Sequence, residues 1–113
     1  ERRAARAMLE RLVAFRSFAG SGEQPALAEH LAGEFRAAGF PAGDVELVRV
    51  GDAAALLVWY RGTGSPERRP VVFLAHLDVV PALKEAWRYD PWQVTEVDGL
   101  LYGRGVVDNK YGV

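Results

Sequence analysis

Apolar positions recur at helical spacing up to Phe40 and at strand spacing beyond it. From about Arg3 to Phe18, the residues Ala5, Met8, Leu9, Leu12, Val13 and Phe15 fall on one helical face, with Arg and Glu between them. Ala19-Gly20-Ser21-Gly22 breaks that pattern. Ser21 or Gly22 can cap a second helix, with Glu23 in its first turn and Pro25 near its start. Leu27, Leu31 and Phe35 continue it, Ala28, Ala32 and Ala38 give a small-residue flank, and Gly39 fits a C-terminal cap.

Val45 to Val50 alternates apolar and polar residues, as a half-buried strand does. Ala55 to Arg61 is more continuously apolar. Gly51-Asp52 lies between them, which predicts an antiparallel pair. A polar loop rich in Gly, Ser and Pro covers Gly62–Arg69. Val71 to Ala75 is wholly apolar and suits a sheet centre covered on both faces. Pro81 to Trp92 is a long excursion carrying Trp87, Tyr89 and Trp92. Gln93–Val97 and Leu100–Tyr102 read as a short hairpin about Asp98-Gly99.

The apolar run at 71–75 ends in His76, with Asp78 two residues on. Side chains two apart on a strand share a face, so both would emerge together at the strand's carboxyl end, where open α/β sheets place their sites. Gly103-Arg104-Gly105-Val106-Val107-Asp108-Asn109-Lys110 supplies a further carboxylate in a glycine-rich turn. An imidazole and a carboxylate from separate loops suit a divalent metal such as zinc. The bland readings are a core histidine satisfied by a carbonyl, an Asp78 that caps the loop from Val79, and an Asp108 that caps a helix starting near Asn109. The glycines at 103 and 105 would let the backbone approach an ion closely. Lys110 reads as a satisfied structural charge, because a cation beside metal ions is repelled. His30 reads as an ordinary helix residue, one turn from Glu34.

Bulk composition narrows the classes. The chain has 113 residues, half of them apolar and 26% charged, which fits a globular domain or part of one. Lys plus Arg is 14 and Asp plus Glu is 15, a formal net charge of −1 that argues against nucleic acid or an anionic membrane as partner. With no cysteine, disulfides and thiolate metal sites are excluded. No run approaches the roughly 18 apolar residues of a membrane span. Localisation stays open: the cytoplasm is favoured, and the periplasm or secretion fits if a leader was removed ahead of Glu1.

His76-Leu77-Asp78-Val79-Val80-Pro81, Trp87, Asp90-Pro91-Trp92, Leu101-Tyr102-Gly103-Arg104-Gly105 and Asp108-Asn109-Lys110 together resemble the M20 family of metallopeptidases. That family includes aminoacylases, deacylases of the acetylornithine and succinyl-diaminopimelate type, and glutamate-releasing carboxypeptidases. Asn109 stands where many members have an acidic residue. The resemblance implies an α/β fold, the zinc-exopeptidase-like three-layer α/β/α arrangement with a mixed sheet. Residues 1–113 would be the N-terminal part of its catalytic domain.

It implies a two-metal hydrolase acting on an N-acyl amino acid or short peptide. His76 would bind one metal and Asp108 would bridge both. A water acidified by the ions would attack an amide carbonyl, while Asp78, the candidate for a catalytic role, would hold His76. Two zinc ions would fill a complete site, with cobalt or manganese as alternatives. The family's general base and remaining ligands lie beyond Val113, and Glu85 and Glu96 have the wrong surroundings to replace them. The chain alone is then expected to hold half a metal site, to lack activity, and to leave Ala55–Arg61 and Val71–Ala75 without the strand that the family inserts between them. A homodimer would form through a domain outside these residues. The resemblance further implies a cis peptide bond between Asp108 and Asn109. Two other readings compete: a non-enzymatic metal- or ligand-binding domain without the catalytic base, and a structural fragment whose apparent ligands are loop caps.

Overall fold

Helix α1 spans Arg2–Ala14 and turns Leu12 and Val13 fully inward. It stops short of the expected Phe18. Phe15 is extended, and the carbonyl oxygens of Leu12 and Phe15 are taken by the ammonium of Lys110 from the far end of the chain. Helix-end carbonyls lack partners within the helix, so this long-range cation ends α1 as a cap would. The computed structural model describes every residue except Pro66 and Arg68. Those two fall in the loop expected over 62–69, and that part of the expectation lies outside the described residues.

Helix α2 spans Glu23–Ala37, with Gly22 as its N-cap in the left-handed region and the Ser21 hydroxyl accepting from the Glu23 N–H at 3.2 Å. Its C-terminus closes in a Schellman arrangement. Gly39, at φ +93°, donates to Arg36 at 3.0 Å, and Phe40 donates to Phe35 at 3.1 Å. The rings of Phe35 and Phe40 meet edge-on at 5.2 Å, the apolar contact that accompanies this motif. The core is small. Leu12, Leu27 and Leu31 form its centre, with Met8, Phe15, Leu56 and Leu77 packed around them. Each buried leucine contributes about 1.5–3 kcal/mol.

Strands β1 (Val45–Val50) and β2 (Ala53–Val58) pair antiparallel, from Val50 opposite Ala53 at the turn to Val45 opposite Val58. Gly51, at φ +57°, supplies the positive φ that opens a two-residue hairpin turn. β2 ends at Val58 rather than Arg61 because its partner begins at Val45. Beyond it, the Asp44 carboxylate accepts from Arg61 Nε at 2.9 Å and Nη2 at 2.8 Å. α2 covers one face of this ribbon. β3 (Thr95–Val97) and β4 (Leu100–Tyr102) form the second antiparallel pair. Asp98 at φ +52° and Gly99 at φ +77° give the turn the two positive φ values that a type I′ hairpin needs.

Val71–Ala75 differs from expectation: it pairs with no strand among the described residues. A strand exists by virtue of a ladder, and apolar composition alone does not make one. Phe73 is 93% exposed and Leu74 90%. The sheet is accordingly two separate ribbons, and the single mixed sheet with helices on both faces is not assembled within these residues. The described elements form a mixed helix and strand α/β arrangement, as expected. No helix among the described residues is long and apolar enough to cross a membrane.

Candidate metal centre

His76 and Asp108 meet. The imidazole Nε2 lies 2.8 Å from Asp108 Oδ1. On the other side of the ring, Nδ1 lies 3.1 Å from the Asp78 carbonyl oxygen and 3.3 Å from the Asp78 carboxylate. Both Asp78 atoms are acceptors, so Nδ1 is the donor there. Asp108 Oδ1 is an acceptor too, so Nε2 donates to it when the ring is charged. Each face of the ring thus meets an acceptor. The hydrogen bond to Asp108, then that to the Asp78 carbonyl, raises the His76 pKa above its ordinary value.

The site is open to solvent. The side chains of His76, Asp78 and Asp108 are 48%, 60% and 84% exposed. A cleft of about 720 Å³ adjoins His76 and Asp78 and runs between β2, Leu31 and Phe35 of α2, and the 73–78 segment. Its walls are mainly apolar because β2 and 73–78 present unpaired side chains to one another.

The alternative capping roles are not the ones these carboxylates play. Val79 N–H is taken by the Ser17 carbonyl at 3.2 Å, leaving Asp78 to face the imidazole. Past Asp108 the chain makes one 3₁₀ turn, Lys110–Gly112, with no side-chain cap, instead of a regular helix. The Asp108–Asn109 peptide bond is cis, as the resemblance implies.

The glycines of the Asp108 loop serve protein contacts. A Cβ on Gly105, at φ +87°, would stand 2.9 Å from Val79 Cγ1 and 3.0 Å from Lys110 Cδ. One on Gly103 would meet Val106 at 3.0 Å and Val13 at 3.2 Å. Real carbon atoms do not approach so closely, so Gly105 is where the two site loops touch. Lys110 is the satisfied charge expected of it. It is buried, donates to Leu12 O at 2.7 Å and Phe15 O at 2.6 Å, and burial lowers its pKa to about 8. His30 stays on α2, 3.6 Å from Glu34 and stacked near Phe15.

The aromatic excursion frames the loop from the other side. The Arg104 guanidinium lies over the Trp87 ring at 4.9 Å, and its backbone N–H donates to Pro91 O at 2.6 Å. Asp90 accepts from the Trp92 N–H at 2.9 Å, which holds its carboxyl below the usual carboxylate range.

As a donor set, an imidazole nitrogen facing a carboxylate, with a second carboxylate behind the ring, matches the ligand and outer-partner chemistry of zinc-type sites once the ring gives up its proton. Two facing donors are fewer than the three protein ligands of a catalytic zinc. Among the described residues no group of three or more His, Cys, Asp or Glu side chains gathers to hold an ion. Ser17, which no sequence pattern marked, is wholly buried against this site.

Known proteins share parts of this sequence and fold. The sequence model of Peptidase family M20/M25/M40 matches residues 72–113. Beta-Ala-His dipeptidase of Mus musculus is 59% identical over 46 residues, covering 40% of this chain and 9% of that protein. Succinyl-diaminopimelate desuccinylase of Xanthomonas oryzae is 44% identical over 84 residues, covering 74% of this chain and 20% of that one. The crystal structure of human carnosine dipeptidase 1 superposes with a TM-score of 0.70 at 28% identity, over 96% of this chain and 25% of that one. The chain thus spans a quarter or less of the proteins it resembles. The match at 72–113, which contains His76, Asp78 and Asp108, and these likenesses support an M20 family peptidase fragment.

Proposed function

We propose that these residues supply part of the active site of a metal-dependent hydrolase that cleaves the amide bond of a small N-acyl amino acid or short peptide. The carrying observation is the His76 ring, held at Nδ1 by Asp78 and facing Asp108 through Nε2. His76 and Asp108 would hold divalent metal, zinc in this reading, and imidazole and carboxylate also suit cobalt and manganese. When bound, a divalent ion supplies Lewis acidity and lowers the pKa of water for attack on a carbonyl.

The chain's own part is positional. Asp78 fixes the ring's tautomer and raises its basicity, and Lys110 spends its charge on two backbone carbonyls, away from the metal-facing side of the loop. The general base and the further ligands are assigned to residues outside this sequence, so residues 1–113 form the N-terminal part of the catalytic domain and are inactive alone. The relatives named as a dipeptidase and as a desuccinylase support the two substrate classes.

The test uses the full-length protein. Purified without chelator, it is expected to carry zinc, cobalt or manganese by elemental analysis and to hydrolyse members of a panel of dipeptides and N-acyl amino acids. Chelation should abolish turnover, and adding back the ion should restore it. Undiminished hydrolysis by a metal-free preparation, or full metal content in His76→Ala, would overturn the reading.

A further inference from the structure

The loops that carry His76 and Asp108 are both tied to one place, the turn that ends α1. Ser17 has no exposed surface. Its hydroxyl donates to the Leu77 carbonyl at 2.7 Å, and its own carbonyl accepts from the Val79 N–H at 3.2 Å. Leu77 and Val79 flank Asp78, so Ser17 grips the backbone on either side of the residue that faces the imidazole. Just upstream, Leu12 and Phe15 accept from the Lys110 ammonium at 2.7 and 2.6 Å. The Lys110 N–H in turn donates to Gly105 O at 2.8 Å, closing the loop that presents Asp108.

Among the described residues Val71–Ala75 pairs with no strand, and the backbone hydrogen bonds on either side of Asp78 come from Ser17. Hydrogen bonds at sites shut off from water are electrostatically stronger than exposed ones, and Ser17 and Lys110 are 0% and 2% exposed. A site works only when its ligands are locked by such supporting contacts.

We propose that residues 12–17 are the template that sets the His76–Asp108 separation, with Ser17 and Lys110 as positioning residues. Ser17 registers the His76 loop through Leu77 and Val79. Lys110 registers the Asp108 loop through Leu12 and Phe15. This rests on the proposed function only in reading metal affinity; the His76–Asp108 contact itself is present without metal.

The experiment compares the full-length wild type with Ser17→Ala and Lys110→Met. In metal-free protein, ¹⁵N NMR of the imidazole reads the Nε2 hydrogen bond to Asp108, and zinc titration reads affinity in the folded state. Ser17→Ala is expected to keep the wild-type circular dichroism while losing the Nε2 signature and binding zinc ~10-fold more weakly, the lower end of the effect of outer-partner changes. A wild-type imidazole spectrum together with wild-type zinc affinity in both variants would overturn the proposal. Should either variant fail to fold, hydrogen exchange on the wild type decides. Coupling is reciprocal, so zinc must slow exchange at the Val79 and Lys110 amides, and unchanged exchange at both would overturn it. Zinc that binds the wild type no better than His76→Ala would refute the functional reading and leave the metal-free spectrum to judge the template.

Discussion

Asp108 Oδ1 lies 2.8 Å from His76 Nε2 across a separation of 32 residues, and Asp78 stands on the opposite side of the same ring. The two carboxylates differ in what they do for the imidazole. Asp108 accepts at Nε2, the nitrogen a metal would take once its proton is lost, and Asp78 accepts at Nδ1. Replacing either of the facing pair should therefore cost more than replacing Asp78. In the full-length protein, Asp78→Ala should lower turnover ~10–100-fold. His76→Ala and Asp108→Ala should lower it beyond that range and release metal. Steady-state kinetics with elemental analysis checks the order.

The ring's two acceptors make the pH dependence predictable. Asp108, then the Asp78 carbonyl, hold the His76 pKa above 6.5 in the fold. A raised pKa means that the charged ring's stabilisation is fully present below pH 6.5 and is lost as pH rises through the folded value. Metal takes the neutral ring, so apparent zinc affinity should climb through the same window. An NMR titration of the His76 ring in metal-free protein is expected to give a midpoint above 6.5, falling toward it in Asp108→Asn.

Lys110 carries the opposite sign. Burial lowers its pKa from 10.5 to about 8, so between those values the unfolded chain binds a proton that the fold does not. Stability should rise with pH across that window, by at most about 3 kcal/mol. Denaturant melts of wild type and Lys110→Met at pH 7.5 and 10.5 test this, since the rise should be confined to the wild type.

Two glycines of positive φ separate conformation from space. Gly99→Ala meets nothing within 4 Å, and only its φ of +77° is strained, so the cost should be about 1–2 kcal/mol. Gly105→Ala adds collisions with Val79 and Lys110 to a φ of +87°, and should cost roughly 2–4 kcal/mol. Chemical denaturation of the pair should show the gap.

The 113 residues expressed by themselves should be poorly soluble or partly molten. Val71, Val72, Phe73 and Leu74 are 77%, 72%, 93% and 90% exposed, beside an unpaired β2 edge. Such surfaces recruit other chains. A sharp two-state melt of a soluble monomer would contradict this.

What could be read from the sequence was what neighbouring residues decide. α2 closes at Gly39 and the Asp98-Gly99 turn pairs β3 with β4 because a few adjacent side chains and φ values suffice. His76, Asp78 and Asp108 stood out because polar groups at the end of an apolar run need a reason. α1 ends earlier than its apolar spacing predicts, since the carbonyls at its end meet Lys110, 98 residues from Leu12. Val71–Ala75 has strand composition but no partner, and pairing is not a local property. Ser17 gave no signal, because a buried loop serine resembles any other serine until its partners Leu77 and Val79 are in place.

The ties at the end of α1 also bear on how the chain folds. Ser17 reaches Leu77 across 60 residues and Lys110 reaches Leu12 across 98. The hairpins and helices close short loops and can form in microseconds. Bonds that span most of the chain must first meet the entropy of closing it. Loop closure therefore favours setting the two site loops on the end of α1 only after the hairpins and helices have formed, an order that hydrogen exchange during refolding would read at the Val79 and Lys110 amides.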